Sequence, residues 1–329
     1  MIRTMAGVSV EAPALRMPPA ALRRVALLVA VALFAVSLAM PSFGLYAVDG
    51  VALVTAVVVA GLAFFTALLG DPTDGQAWWG SAVRQLAIVG FAATLLTVAF
   101  TVMVVAGDGV RGLGSGLARE AVLRGSTYEA ALARCAGLCV VAAAFSLVRL
   151  TSARRRALMI AGGALVLGSF LLAGHARSHG PAVLVMLCLL AHVIGASGWA
   201  GGLVGLGVTL HGRGADPTRR ARVLVTFAGL MTGVILMLLA GGVGLAALYL
   251  SSWHALVSTA YGQVLIVKVG VVSGMLVVSA SNHYRFVRPA ARGDVSALAA
   301  LRMNVAIEQI GLVTVLIITE VLLHQNPIA

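Results

Sequence analysis

The sequence predicts an all-α fold, a polytopic membrane bundle of about nine transmembrane helices, on three observations. Of 329 residues, 60% are apolar and only 10% charged, and the mean hydropathy is +1.04. A soluble domain is about one quarter charged and needs a polar surface that this chain has too few residues to build. The apolar residues fall in long runs, and lipid offers the backbone no partner outside its own segment, which selects helices. The third observation is the charge: 23 basic against 11 acidic residues, formally +12. Arginine supplies nearly all of the excess and gathers between particular runs. The same figures exclude a disordered tail, a disulfide-rich secreted module and a basic soluble domain that grips nucleic acid.

A spanning helix needs about 20 mostly apolar residues. Nine runs qualify, at roughly 22–40, 51–69, 84–106, 130–150, 157–174, 182–209, 223–250, 262–283 and 304–323. Arg3, Arg16, Arg23 and Arg24 precede the first run, and Arg149, Arg154, Arg155 and Arg156 join the fourth to the fifth. Arg213, Arg219, Arg220 and Arg222 join the sixth to the seventh. Arg285, Arg288, Arg292 and Arg302 join the eighth to the ninth. Alternate threading puts all four segments on one side, which the positive-inside rule makes cytoplasmic, with the N-terminus in and the C-terminus out. Arg23-Arg24, the run behind them and Ser37-Leu38-Ala39 also fit a secretory signal, and its cleavage would leave eight helices without altering the remaining topology. Stretch 115–124 reads as a short interfacial helix. No loop is long enough for a soluble core, and the chain divides into a four-helix half, 1–150, and a five-helix half, 151–329.

The outer side receives Asp49, a mixed stretch from Asp108 to Arg134, and four of the seven histidines. His175 and His179 flank the turn between the fifth and sixth runs, His254 follows the seventh, and His324 ends the ninth. Imidazole binds copper and zinc. The i, i+4 spacing of Glu320 and His324 puts both on one helical face. Deeper in, His192 lies about ten residues into the sixth run, hence about 15 Å from its start. An ionisable group at that depth is costly and is a functional candidate by default. Cys188 precedes it by one turn on the same face and supplies a soft sulfur ligand suited to Cu(I). The structural alternative for this pair is a neutral hydrogen-bonded histidine beside a small packing residue. Cys135 and Cys139, one turn apart in the fourth run, are packing residues or a second soft pair. Met40, Met103, Met186, Met237 and Met275 are core residues or weak support for a copper path. Lys268 and Glu320 come out at similar depth on adjacent runs, so an ion pair is expected between them. Glu308 matches Asn282, His283 and Asn304 in depth, as a polar inner mouth or a helix-end network.

From residue 174 to 329 the sequence resembles the CopD copper-resistance family of bacterial inner-membrane proteins. The first matching block is Gly174-His175-Ala176, then His192 seven residues before Trp199-Ala200-Gly201-Gly202-Leu203. The second is Tyr261-Gly262-Gln263, with Lys268 in the following helix and Asn282 near its end; the third is Arg302 followed by Glu308. The resemblance implies copper handling, as uptake from the periplasm into the cytoplasm, together with a small CopC-like periplasmic copper carrier as partner. Family members often carry a histidine early in their first helix, whereas no histidine precedes 175 here, so Met40, Cys135 or Cys139 would have to substitute.

The leading expectation is therefore a multi-pass inner-membrane copper permease without enzymatic activity. It would take Cu(I) or Cu(II) at His175, His179, His254, Glu320 and His324, pass it by ligand exchange across Cys188 and His192, and release it near Glu308. Lys268, Trp199 and Asn282 would be structural or gating residues. No GxxxxGK[ST] motif is present for ATP-driven pumping. Two alternatives stand beside it: a b-type cytochrome holding haem b, against which it counts that only His192 lies deep in the membrane, although His175 and His254 near one surface could make a site, and an assembly factor that binds copper at the periplasmic face.

Overall fold

A computed structural model describes residues 40–73, 77–147, 150–172, 182–212, 216–250 and 252–325. Eight helices among them are long and apolar enough to cross a membrane. They are α1 (Pro41–Leu69), α2 (Ala77–Ala106), α4 (Ser126–Ser146), α5 (Ser152–Leu172), α6 (Ala182–His211), α7 (Pro217–Tyr249), the continuous segment Ala260–Ala291, and α11 (Val295–Leu323). Two short helices, α3 (Gly116–Leu123) and α8 (Trp253–Ser258), lie between spans, and there is no strand among the described residues. The fold is the predicted helical bundle. Stretch 115–124 is the short helix expected there, and the first predicted run, 22–40, lies outside the described residues except at its last residue.

Several helices outrun the apolar stretch that predicted them. The ninth run was read from residue 304, yet α11 starts at Val295, where Asp294 caps it by accepting from the amides of Ser296 and Ala297. Hydropathy reports only the part of a helix in hydrocarbon, whereas the helix continues until its free amides find a cap. The span after α8 consists of α9 (Ala260–Ser281), a π-helical turn at Asn282–Phe286 and α10 (Val287–Ala291). In that turn Val287 donates to the Asn282 carbonyl, five residues back. Pro289 lies just beyond it, without an amide and crowding the carbonyl four residues earlier, at Arg285.

Packing is organised around α1 and α6. One core gathers α1, α2, α4, α5 and α6 around residues such as Leu62, Val83, Leu138 and Val166. The other gathers α1, α6, α7, α9 and α11 around Trp199, Leu203, Leu224 and Leu301. Lipid gives apolar helices little reason to associate, so close backbone approach through small residues must help to hold them. Gly61 and Gly201 supply it. A Cβ on Gly61 would lie 1.9 Å from the Ser197 carbonyl oxygen, and one on Gly201 2.1 Å from the carbonyl carbon of Gly61. The outward faces carry exposed apolar side chains such as Leu236, Val243, Val277 and Ile310, as a lipid-facing surface requires.

Candidate metal site

At the end of the bundle where α1 begins and α11 stops, Asp49, Glu320 and His324 converge. One ligand atom from each lies within 4.8 Å of the others. Because α1 starts at Pro41 rather than near residue 51, Tyr46 and Asp49 sit on helix, one turn apart. Gly50 lets α11 come close, since a Cβ there would stand 3.3 Å from the Glu320 Cγ. His324 follows the last residue of α11, and its Nδ1 lies 2.9 Å from the Glu320 carbonyl oxygen. A carbonyl only accepts, so that contact places the proton on Nδ1. The Tyr46 ring meets the imidazole edge to face, with centroids 4.1 Å apart. Nδ1 is also 3.3 Å from Glu320 Oε1, yet neither oxygen of that carboxylate has a hydrogen-bond partner and both are closed off from solvent. Asp49 and Arg134 are near enough to Glu320 to act on it electrostatically, but neither makes an ion pair with it. Arg134 is held aside by α5: its Nε donates to Ser169 Oγ at 3.3 Å and its guanidinium lies 4.8 Å from the centre of the Phe170 ring.

His192 occupies the middle of α6, and its Nδ1 lies 3.0 Å from the Leu238 carbonyl oxygen of α7. The proton again belongs on Nδ1, which leaves Nε2 with the free lone pair; metal-bound histidines are commonly oriented by such a second bond. Cys188 and His192 both face α7, where Gly241, Gly242 and Gly244 make room for them. Lys268 is near enough to His192 to act on it electrostatically. The expected Lys268–Glu320 ion pair is not formed, and Lys268 has no ion pair among the described residues. Equal depth along two helices does not fix azimuth: α11 turns Glu320 toward Gly50 and Asp49 of α1, where Lys268 does not reach it.

Toward the other end, Glu308 is buried on α11 and accepts from Asn282 Nδ2 at 3.0 Å. Asn304 in turn donates to Asn282 Oδ1 at 2.8 Å. The second carboxylate oxygen, Oε1, has no hydrogen-bond partner, although Ser279 lies against the group. His283, expected at the same depth, is exposed beside Tyr284 instead. Trp199 is buried in the core shared by α1, α6 and α7. His254 is exposed on α8, bonded only to Ser258 of its own helix, and does not join the cluster. His175 and His179 lie outside the described residues. Cys135 is buried and Cys139 exposed, and neither belongs to the cluster; Met40 is exposed. Sequence reasoning missed Asp49, Tyr46 and Arg134 as parts of one site. The available signal was a carboxylate three residues after an aromatic at the start of an apolar run, and it becomes informative only once α11 is laid beside it.

Residues 221–322 match the model of one family, CopD, described as copper resistance protein D. The CopD segment runs from α7 into the last turn of α11 and contains Lys268, Asn282, Glu308 and Glu320. Asp49, Cys188 and His192 precede it, and His324 lies just beyond. It falls within the part of the chain whose motifs resemble that family. No curated protein and no solved structure matches the chain.

Proposed function

We propose that this protein carries copper ions across a bacterial inner membrane, inward from the periplasm, without enzymatic chemistry. The observation that supports the reading is the spacing of coordinating groups along the bundle. Asp49, Glu320 and His324 lie at one end, Cys188 and His192 midway, and Glu308 with Asn282 and Asn304 toward the other. About 18 Å of helix rise separates Glu320 from Glu308. A chain of sites, each weak enough to release the ion onward, is what passage by ligand exchange requires. The cluster draws Asp49 from the half 1–150 and its other two members from the half 151–329, so both halves would serve one path. The end carrying Tyr46 and His324 is free of the arginine clusters and would face the periplasm, where a CopC-like carrier would deliver the ion.

Radiocopper uptake by cells making equal amounts of wild type, His192→Ala and Glu308→Gln tests this. Uptake above the vector control is expected for wild type, with a fall of about tenfold or more in His192→Ala, as losing a ligand entails. Equal uptake in all the strains and the vector control would overturn it. Bound copper without uptake would favour delivery at the outer face instead.

A further inference from the structure

The Asp49–Glu320–His324 cluster says more than where an ion enters. Its donor set is two carboxylates and one imidazole, with no cysteine among its members. Cu(I) prefers thiolate and thioether, whereas oxygen and imidazole suit divalent ions. Cys135 and Cys139, the cysteines at this end among the described residues, do not join it.

Glu320 supplies an independent observation. Both of its oxygens are closed off from solvent and neither accepts a hydrogen bond, although His324 Nδ1 lies 3.3 Å from Oε1 and Arg134 is near enough to act on the carboxylate electrostatically. Buried polar atoms are nearly always satisfied, and an exception of this kind calls for a partner. Were Arg134 that partner, its guanidinium would bond the carboxylate; it bonds Ser169 and covers Phe170 instead. His324 is oriented by the Glu320 carbonyl and the Tyr46 ring, as second-shell contacts orient metal-bound histidines.

From these we infer that Asp49, Glu320 and His324 form a divalent copper site, closed by α1 and α11 together, that admits Cu(II) and discriminates against Cu(I). The inference rests on copper being the cargo, and Asp49 is its new element, contributed from outside the CopD segment.

The test is binding of Cu(II) and, separately, of Cu(I) to the purified full-length protein in detergent, each against a competing chelator. Wild type, Asp49→Asn, Glu320→Gln and His324→Gln are compared, with thermal unfolding recorded for each. Asp49→Asn and Glu320→Gln should each weaken Cu(II) by about tenfold or more and leave Cu(I) unchanged. Pulsed paramagnetic resonance of wild type with one equivalent of Cu(II) should show an imidazole nitrogen that disappears in His324→Gln, a readout that needs only one variant to fold. Cu(II) affinity unaffected by Asp49→Asn and Glu320→Gln, or an imidazole signal that survives His324→Gln, would overturn the site while leaving transport to stand on the uptake result. Loss of Cu(II) binding in these variants when wild type shows no uptake would keep the site and remove the transport reading.

Discussion

Lys268 is the only lysine of the chain, and the structure leaves its ammonium without a counter-ion among the described residues. Burying a charge without a partner is unfavourable, and an apolar residue of similar length removes that cost. Lys268→Met should therefore stabilise the detergent-solubilised protein, by about 1 kcal/mol or more, read as a raised midpoint of thermal unfolding. A lowered midpoint would mean that a partner acid holds Lys268 after all. Asp294 shows the opposite situation at a residue outside the spans. Bonds from the Ser296 hydroxyl and the Ala297 amide hold its carboxyl below the usual carboxylate range. A depressed value means the cap contributes above the ordinary aspartate range and is lost only as pH falls through the lowered one. The cap on α11 therefore survives at pH values where an unbonded aspartate would already be protonated.

Between helices, the decisive feature is how near α1 and α6 come to each other. Gly61 has backbone where its Cβ would be, so the two helices must separate to accept any side chain there. Gly229, in α7, has nothing within 4 Å of an added Cβ. The same substitution should consequently have opposite signs at the two positions. Gly61→Ala should cost about 3 kcal/mol or more by forcing the crossing apart. Gly229→Ala should gain up to about 1 kcal/mol, because glycine is a poor helix former. Thermal unfolding of both variants in the same detergent checks the pair, and a destabilised Gly229→Ala or an unaffected Gly61→Ala would contradict the packing described. The CopD-like run Trp199–Leu203 acquires a physical meaning here: Trp199 fills the core on one face of α6 while Gly201 admits α1 on another.

For the whole molecule, the arginine clusters predict which end faces the cytoplasm. Leu117 on α3 is 83% exposed at the end that holds Tyr46 and His324, and Tyr284, beside Arg285, is 81% exposed at the other. With Cys135, Cys139 and Cys188 replaced, a membrane-impermeant thiol reagent should label Leu117→Cys in intact cells and reach Tyr284→Cys only after lysis. The reverse pattern would turn the bundle over, and copper entry with it. Composition and run length alone determined the fold class, because hydrocarbon thickness and the need to satisfy backbone groups leave few other solutions for such a chain. The i, i+4 pairing of Glu320 with His324 was legible for the same reason, being a property of one helix. Sequence could not decide what lies across an interface. Helix depth follows from counting residues, but azimuth depends on which faces pack. Only the tertiary structure could therefore set Glu320 beside Asp49 rather than Lys268, and bring one carboxylate from each half of the chain to a shared point.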